Sequence, residues 1–441
     1  MDYYFIGIKG TGMASLACIM HDLGNQVSGS DLEKHFFTEE SLKDRNITVL
    51  PFDENNIHSN MNIIIGNAFL DDFPEVRKAK ADPTNHCWRY HEFLGLLMEN
   101  YTSFGVAGSH GKTTTTGMLS SMLSQVEKTG YLIGDGTGFI QPDSRYFVVE
   151  ADEFRRHFIA YHPDYAIITN ADLDHVDYFK SEEQYYQAYE DFARQVKKAV
   201  VMFGDDPKVR GLSVEQEHYY YGLNSDNDFQ AVDIVETTKD MSFTVLFHGN
   251  EYGHFHLPFV GRHLLWNSLG VIALGYLNGI SAEDVNAGLN SFRGVKRRFV
   301  VEEMEDGNVF IDDYAHHPTE VKVTIQAARM RYPDRKIVAV FKPHRVSRVY
   351  HFADDFASAL KEADEVFLCP FTSIDDKEEG IDIDITYLQQ RIPGSQIVDT
   401  DEESAQVLSE RAPAVFLFMS SKDIYHLAEM VKKLLHKGSE L

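Results

Sequence analysis

The chain has 441 residues, 43% of them apolar and 25% charged, and a formal net charge of −27. At roughly 150 residues per domain this length predicts about three domains, each large enough to bury a core. So acidic a surface argues against broad binding to nucleic acid or anionic lipid, and an anionic substrate must be caught by local clusters of donors.

Short apolar runs alternate with helical patterns along the whole chain, which predicts an α/β architecture. The first block, residues 1–100, opens with the strand Tyr3–Ile6. Glycines follow, then a helical run from Met13 to Leu23 and strands at Gln26–Ser28 and Met61–Ile65. This reads as a small, Rossmann-like nucleotide-binding sheet. Its loop is Gly7-Ile8-Lys9-Gly10-Thr11-Gly12-Met13, with Gly29-Ser30-Asp31 after the second strand. A dinucleotide fingerprint needs glycine at position 9, where Lys9 stands, and no hydride-transfer site occurs elsewhere. Lys9 could instead give the loop a charge for a pyrophosphate.

The second block, residues 101–296, starts with the strand Ser103–Ala107 and the loop Gly108-Ser109-His110-Gly111-Lys112-Thr113, followed by a helix over Thr114–Ser124. Strand, glycine loop and helix in this order form a phosphate cradle. Backbone N–H groups and the helix N-terminus would face the phosphates, Lys112 would bridge the β- and γ-phosphates, and the Thr113 hydroxyl would ligate Mg²⁺. The pattern departs from the usual phosphate loop only at Val106, where a glycine is expected. Glu150-Ala151-Asp152-Glu153 follows the apolar run Tyr146–Val149, and its carboxylates suit a hard cation. Thr169-Asn170-Ala171-Asp172-Leu173-Asp174-His175-Val176-Asp177 follows the run Tyr165–Thr169. There His175 could ligate a second metal or hold a water, and a charged helix cap is the plainer alternative. The third block, residues 297–441, has buried strands at Val309–Ile311, Ile337–Phe341, Val366–Leu368 and Val415–Phe418. Helices are predicted over Thr319–Arg331, Phe352–Ala363 and Ile424–Leu435. Asp312-Asp313-Tyr314-Ala315-His316-His317-Pro318 and Pro343-His344-Arg345-Val346-Ser347-Arg348 sit just after strands, where parallel sheets bind ligands. Arg345 and Arg348 could clamp a substrate carboxylate in bidentate fashion.

The phosphate loop, the Glu150 turn and the His175 turn, in this order and spacing, resemble the central domain of the Mur ligases. Gly261-Arg262-His263-Leu264-Leu265-Trp266-Asn267 is similar to the family's adenine-side motif, with Leu264 in place of its usual Asn. The glycine loop at the start and the two motifs of the third block resemble the family's alanine-adding branch. Gly134-Asp135-Gly136-Thr137-Gly138 and Arg155-Arg156-His157-Phe158 resemble its Gram-positive form.

The resemblance implies three domains: a Rossmann-like UDP-substrate domain, a P-loop ATPase domain and a Rossmann-like amino-acid domain. It implies ATP-dependent joining of L-alanine to the carboxylate of UDP-N-acetylmuramate through an acyl-phosphate, for peptidoglycan precursors. The nucleotide would lie on Gly108, Ser109, His110, Gly111, Lys112, Thr113, Thr114, His263, Asn267 and Asp313. The UDP substrate would lie on Gly7, Gly10, Thr11, Gly12, Ser30 and Asp31, with Tyr314 near the amino acid or acceptor. Thr113, Glu150 and His175 would hold Mg²⁺ in two sites, with Mn²⁺ as a substitute. Lys112, Glu150, His175, Arg298, His316, His344, Arg345 and Arg348 would carry the chemistry. Two other readings stay open: a ligase adding a peptide to the same acceptor, and a nucleotide-binding relative without turnover.

Two further expectations follow. Near the end the family's Met-Gly-Ala-Gly-Asp-Ile is replaced by Met419-Ser420-Ser421-Lys422-Asp423-Ile424, so backbone strain is expected if that turn needs positive φ. Cys18, Cys87 and Cys369 form no CxxC pair, no apolar run approaches the ~20 residues of a membrane span, and Met1 leads into a strand. The expectation is a soluble, cytoplasmic protein with small-molecule substrates and no nucleic-acid or membrane partner; the sequence sets no oligomeric state.

Overall fold

A computed structural model describes residues 1–175, 178–371 and 380–438. Val176 and Asp177 of the His175 turn lie outside the described residues. The first unit runs β1 (Asp2–Ile6), α1 (Thr11–Asp22), β2 (Gln26–Asp31), α2 (Glu39–Asp44), β3 (Thr48–Pro51), β4 (Asn62–Ile65), α3 (Pro74–Ala81), β5 (His86–Arg89) and α4 (Tyr90–Met98). Its strands are parallel, in the order β3-β2-β1-β4-β5. The order reverses between β1 and β4, so a crevice opens beyond Ile6 and Ile65, the place where such sheets take ligands.

The central unit begins with β6 (Thr102–Ala107), α5 (Lys112–Leu123), β7 (Thr129–Ile133), β8 (Thr137–Phe139) and β9 (Tyr146–Glu150). It continues through β10 (Tyr165–Ile168), α6 (Glu182–Ala193), β11 (Ala199–Phe203), α7 (Pro207–Arg210) and β12 (His218–Gly222). It closes with β13 (Phe229–Glu236), β14 (Met241–Phe247), β15 (Asn250–Leu257), α8 (Arg262–Leu277) and α9 (Ala282–Ser291). One sheet orders these strands β15-β14-β13-β12-β11-β10-β6-β9-β7-β8. Strands buried on both faces, such as Ala199–Phe203, read as continuous apolar runs. β6 lies between β9 and β10 and parallel to both, so the phosphate loop, the Glu150 turn and the His175 turn leave the sheet side by side.

The last unit contains β16 (Val300–Glu303), β17 (Val309–Asp313), α10 (Pro318–Arg331), β18 (Ile337–Phe341), α11 (Val346–His351) and α12 (Ala353–Leu360). β19 (Glu365–Leu368), α13 (Thr386–Gln389), β20 (Gln396–Ile397), α14 (Glu402–Ser409), β21 (Val415–Met419) and α15 (Tyr425–Gly438) complete it. Its sheet order is β16-β17-β21-β18-β19-β20. The single helix expected from Phe352 is preceded by a separate one, α11, which carries Arg348. The core does not stop at the unit boundary. Phe5, Met13 and Leu94 of the first unit pack in one cluster with Phe147, Val149 and Phe158 of the central one.

The turn after β21 differs from expectation. None of residues 420–422 has positive φ. Ser420 is buried, its hydroxyl donates to the Lys342 carbonyl at 2.8 Å and accepts from the Lys422 N–H at 3.0 Å. Serine therefore closes the turn with side-chain hydrogen bonds rather than with glycine freedom. No helix among the described residues is long and apolar enough to cross a membrane.

Candidate functional site

The phosphate loop is built around close backbone approach. Gly108 has φ +136° and Gly111 has φ +79°. A Cβ on Gly108 would fall 2.0 Å from the Thr169 hydroxyl oxygen, so only glycine fits there. Thr169 and Asn170 donate to the His110 carbonyl at 2.6 and 2.9 Å, and Asn170 accepts the His110 N–H at 2.8 Å. The β10 turn thus clamps the loop that β6 delivers.

Lys112 does not face solvent. Its ammonium donates to the carbonyls of Gly108 (2.6 Å) and Ser109 (3.3 Å) and to Glu153 (2.8 Å). Burial alone would lower its pKa, but Glu153, Asp152 and Glu150 hold it above its ordinary value, so it stays charged. Glu153 is fully buried. Burial pushes its carboxyl up while Lys112 opposes that. Glu150 accepts from the Thr113 hydroxyl (3.2 Å) and the Gly134 N–H (2.7 Å).

His175 has φ +52°, and its Nδ1 is buried without a hydrogen-bond partner. Its ligand atoms group with those of Asp152 and Glu153, all within 4.8 Å of one another. Glu150, the carboxylate that sequence reasoning paired with His175, is not in that group; Glu153, three residues on, is.

A cavity of about 660 Å³ lies between the central and last units. Its walls bring together His110, Gly111, Thr113, Thr114, His263, Asn267, Arg298, Asp313 and Glu320. Asp313 accepts the N–H groups of Phe299 (2.8 Å) and Ala315 (2.7 Å), and burial pushes its carboxyl up to about 6 against the pull of Arg298. Arg298 stacks over the Tyr314 ring at 5.0 Å and reaches Glu320 at 3.3 Å. Glu320, buried at the start of α10, also accepts the N–H groups of His316 and His317 and meets the His316 Nδ1 at 3.0 Å. Burial would raise the Glu320 carboxyl, but the imidazoles and Arg298 hold it well below its ordinary value.

Three expectations need correction. Arg348 is not an open clamp: its guanidinium forks onto Asp174 at 2.7, 3.0 and 3.2 Å, and both side chains are buried. Lys9 does not charge the glycine loop, because its ammonium is taken by the carbonyls of Leu32 and Lys34 and by Glu39. Ser30 and Asp31 hold the loop from behind: Ser30 is fully buried and donates to Glu75, while Asp31 accepts the N–H groups of Lys9 and Leu32 at 2.7 Å each. Gly7, Gly10, Thr11 and Gly12 line the β1–α1 turn at the crevice. His344 stands after β18, and Arg345 lies 5.7 Å from the Phe154 ring of the central unit. Sequence reasoning missed Asp174, Glu320 and Asn67. Only the first had a signal, as a carboxylate beside His175.

Several histidines are held neutral. His157 and His263 are pushed down to about 4, and His317 and His344 to about 3, in each case mainly by burial. Unfolding returns each to about 6.5. Between these values the unfolded chain binds more protons than the folded one, so stability falls as pH drops from about 6.5 towards 4. Asp313 acts the other way, its contribution being lost as pH rises through about 6. The melting temperature is expected to decline from pH 7 to pH 4.5; a flat or rising profile would contradict the burial of these imidazoles.

Comparison with known proteins agrees with this geometry. The model of the Mur ligase family catalytic domain matches residues 2–102, the Mur ligase middle domain matches 106–275, and the Mur ligase glutamate ligase domain matches 297–422. The UDP-N-acetylmuramate–L-alanine ligase of Lactiplantibacillus plantarum is 50% identical over 416 residues, covering 94% of this chain and 95% of the relative. That of Streptococcus pneumoniae is 45% identical, covering 98% and 97%. The crystal structure of the UDP-N-acetylmuramate–alanine ligase from Thermotoga maritima superposes with a TM-score of 0.81 at 27% identity, over 99% of this chain and 100% of that one. The chain belongs to the Mur ligase family.

Proposed function

We propose that the protein joins the carboxylate of UDP-N-acetylmuramate to the amino group of L-alanine, using ATP and passing through an acyl-phosphate. The observation that carries this is the position of Lys112, Glu153 and His175 at the ends of adjacent strands, with a cavity that joins Gly111 and Thr113 of the same phosphate loop to Arg298 and Glu320 of the last unit, in a chain 50% identical to a UDP-N-acetylmuramate–L-alanine ligase. Residues 1–100 would hold the UDP group, 101–296 the ATP, and 297–441 the amino acid.

Little covalent work falls to the protein. The acceptor carboxylate attacks the γ-phosphoryl group and ADP leaves; the amine then displaces phosphate. Positioning and charge neutralisation dominate such transfers. Lys112 would exchange Glu153 for phosphate oxygens, and Arg298 would face the same oxygens from the loop between α9 and β16. The amine must lose a proton before attack. His316 is the better acceptor. Its Nδ1 faces Glu320 and the Tyr314 carbonyl (3.1 Å), which leaves Nε2 with its lone pair. Burial lowers its pKa, which favours the neutral ring, and Glu320 offsets part of that fall. His344, at about 3, is too weak a base.

The residues fit divalent cations: the Thr113 hydroxyl stands beside the Glu150 carboxylate, Asp152, Glu153 and His175 group their ligand atoms, and the His175 Nδ1 is an orphaned buried atom. Thr113 and Glu150 would hold one Mg²⁺ or Mn²⁺, and Asp152, Glu153 and His175 a second; their charge would offset that of the phosphate oxygens. Turnover is expected to vanish in Glu150→Ala. In His175→Ala it should need about 10-fold more metal. Metal titration of turnover checks both, and an unchanged requirement in both variants would contradict the site. A cytoplasmic setting goes with the demand for ATP and with the free thiols of Cys18, Cys87 and Cys369. ADP release that requires UDP-N-acetylmuramate and L-alanine together tests the function. Release with a peptide amine instead would favour the peptide-adding alternative.

A further inference from the structure

Between the glycine loop and the His175 cluster lies a polar group that the proposed reaction does not yet use. Asn67 stands two residues past β4, beside Gly7 at the crevice, because Ile65 pairs with Ile6. His91 opens α4 next to Tyr90, whose hydroxyl closes on Gly12. His157 belongs to the central unit. Two consecutive left-handed residues, Arg155 (φ 50°) and Arg156 (φ 60°), deliver it. Non-glycine residues in that region are strained, and such strain is concentrated at functional sites.

The two imidazoles stack, with centroids 4.5 Å apart and planes 22° apart. The Asn67 amide bridges them: its Oδ1 lies 2.9 Å from the His91 Nδ1 and its Nδ2 lies 3.2 Å from the His157 Nδ1. An amide offers one acceptor and one donor, so the two rings are forced into opposite tautomers. His91 carries its proton on Nδ1 and presents a bare Nε2; His157 presents an Nε2–H. Turning the amide over swaps the roles and leaves the pair one donor and one acceptor. Burial lowers the pKa of both rings and so favours their neutral forms, and His91 further disfavours charge on His157. Among the described residues neither Nε2 makes a hydrogen bond, and neither is sealed from solvent.

A fixed donor beside a fixed acceptor matches a secondary amide. The chain of rings from His157 through Phe154 (6.1 Å) to His175 (4.8 Å) sets this pair one aromatic layer from the reaction centre. We propose that Asn67, His91 and His157 form the subsite that reads the acetamido group of the acceptor's N-acetyl sugar. The proposal rests on the reading of the acceptor given above, and it assigns the pair a specificity role that spans two units.

The test is calorimetric binding of UDP-N-acetylmuramate, and of an analogue with a hydroxyl in place of the acetamido group, to the wild-type chain, His91→Phe and His157→Phe. Phenylalanine keeps the stack and removes the polar edge. The wild-type chain is expected to prefer the acetamido ligand by about 10-fold or more, because a site built to hydrogen-bond a group rejects the analogue lacking it. In both variants the preference should fall towards unity, with the affinity for ATP unchanged. A preference that survives in the variants, an equal loss for both ligands, or no preference in the wild-type chain would overturn the proposal. Turnover with L-alanine is read separately. Selective binding without ligation would overturn the proposed function and leave the subsite standing.

Discussion

Lys112→Ala is expected to lower ADP release by about 10²–10³, the usual cost of removing one preorganised charge from a transition state. It is also expected to lower stability. In the folded chain Lys112 is bonded to two loop carbonyls and to Glu153, which has no exposed surface. Removing the ammonium strands a buried carboxylate, which costs more than the pair itself contributes. Lys112→Ala with Glu153→Gln should therefore recover much of the lost melting temperature while ADP release stays low. Near-normal release in the single variant would contradict the phosphate-loop role. A single variant that melts like the wild type would contradict the buried pair.

Arg348→Ala is expected to destabilise the junction of the central and last units by about 3–5 kcal/mol, the range for breaking a buried ion pair. Arg348 lies on α11 and Asp174 in the loop before His175, and both side chains are less than a tenth exposed. Asp174 is held well below its ordinary carboxyl range: burial would raise it, but Arg348 and the nearby imidazoles prevail. The same Asp174 oxygen accepts the His175 N–H at 2.7 Å, so the docked arginine also braces the His175 turn. Turnover should fall with stability, and Asp174→Asn with Arg348→Met should restore part of the melting temperature. A solvent-facing clamp for the amino acid would instead leave melting within about 0.5 kcal/mol and raise only the KM for alanine.

The sequence carried the fold class because many of the parallel strands are short apolar runs followed by glycine or polar residues, as in Ser103–Ala107 and Ile337–Phe341. It carried the phosphate loop because Gly108, Gly111, Lys112 and Thr113 are contiguous. What it left open were pairings made across units. Asp174 with Arg348 and His91 with His157 are each separated by more than sixty residues, and no local spacing encodes them. The choice between Glu150 and Glu153 for His175 was also illegible, since both follow the same strand and only the path of the turn decides. The condition for strain at Ser420, a positive φ, is not met, for a related reason: a serine hydroxyl does there, through Lys342 and Lys422, what glycine does by conformation.

The most direct test of the central claim is an isotope measurement. UDP-N-acetylmuramate labelled with ¹⁸O in its carboxylate is turned over with ATP and L-alanine, and the inorganic phosphate is analysed by mass spectrometry. If that carboxylate attacks the γ-phosphoryl group and alanine then displaces phosphate, each phosphate released carries one ¹⁸O from the acceptor. Phosphate released without the label, at a rate matching formation of the alanine amide, would contradict the acyl-phosphate route.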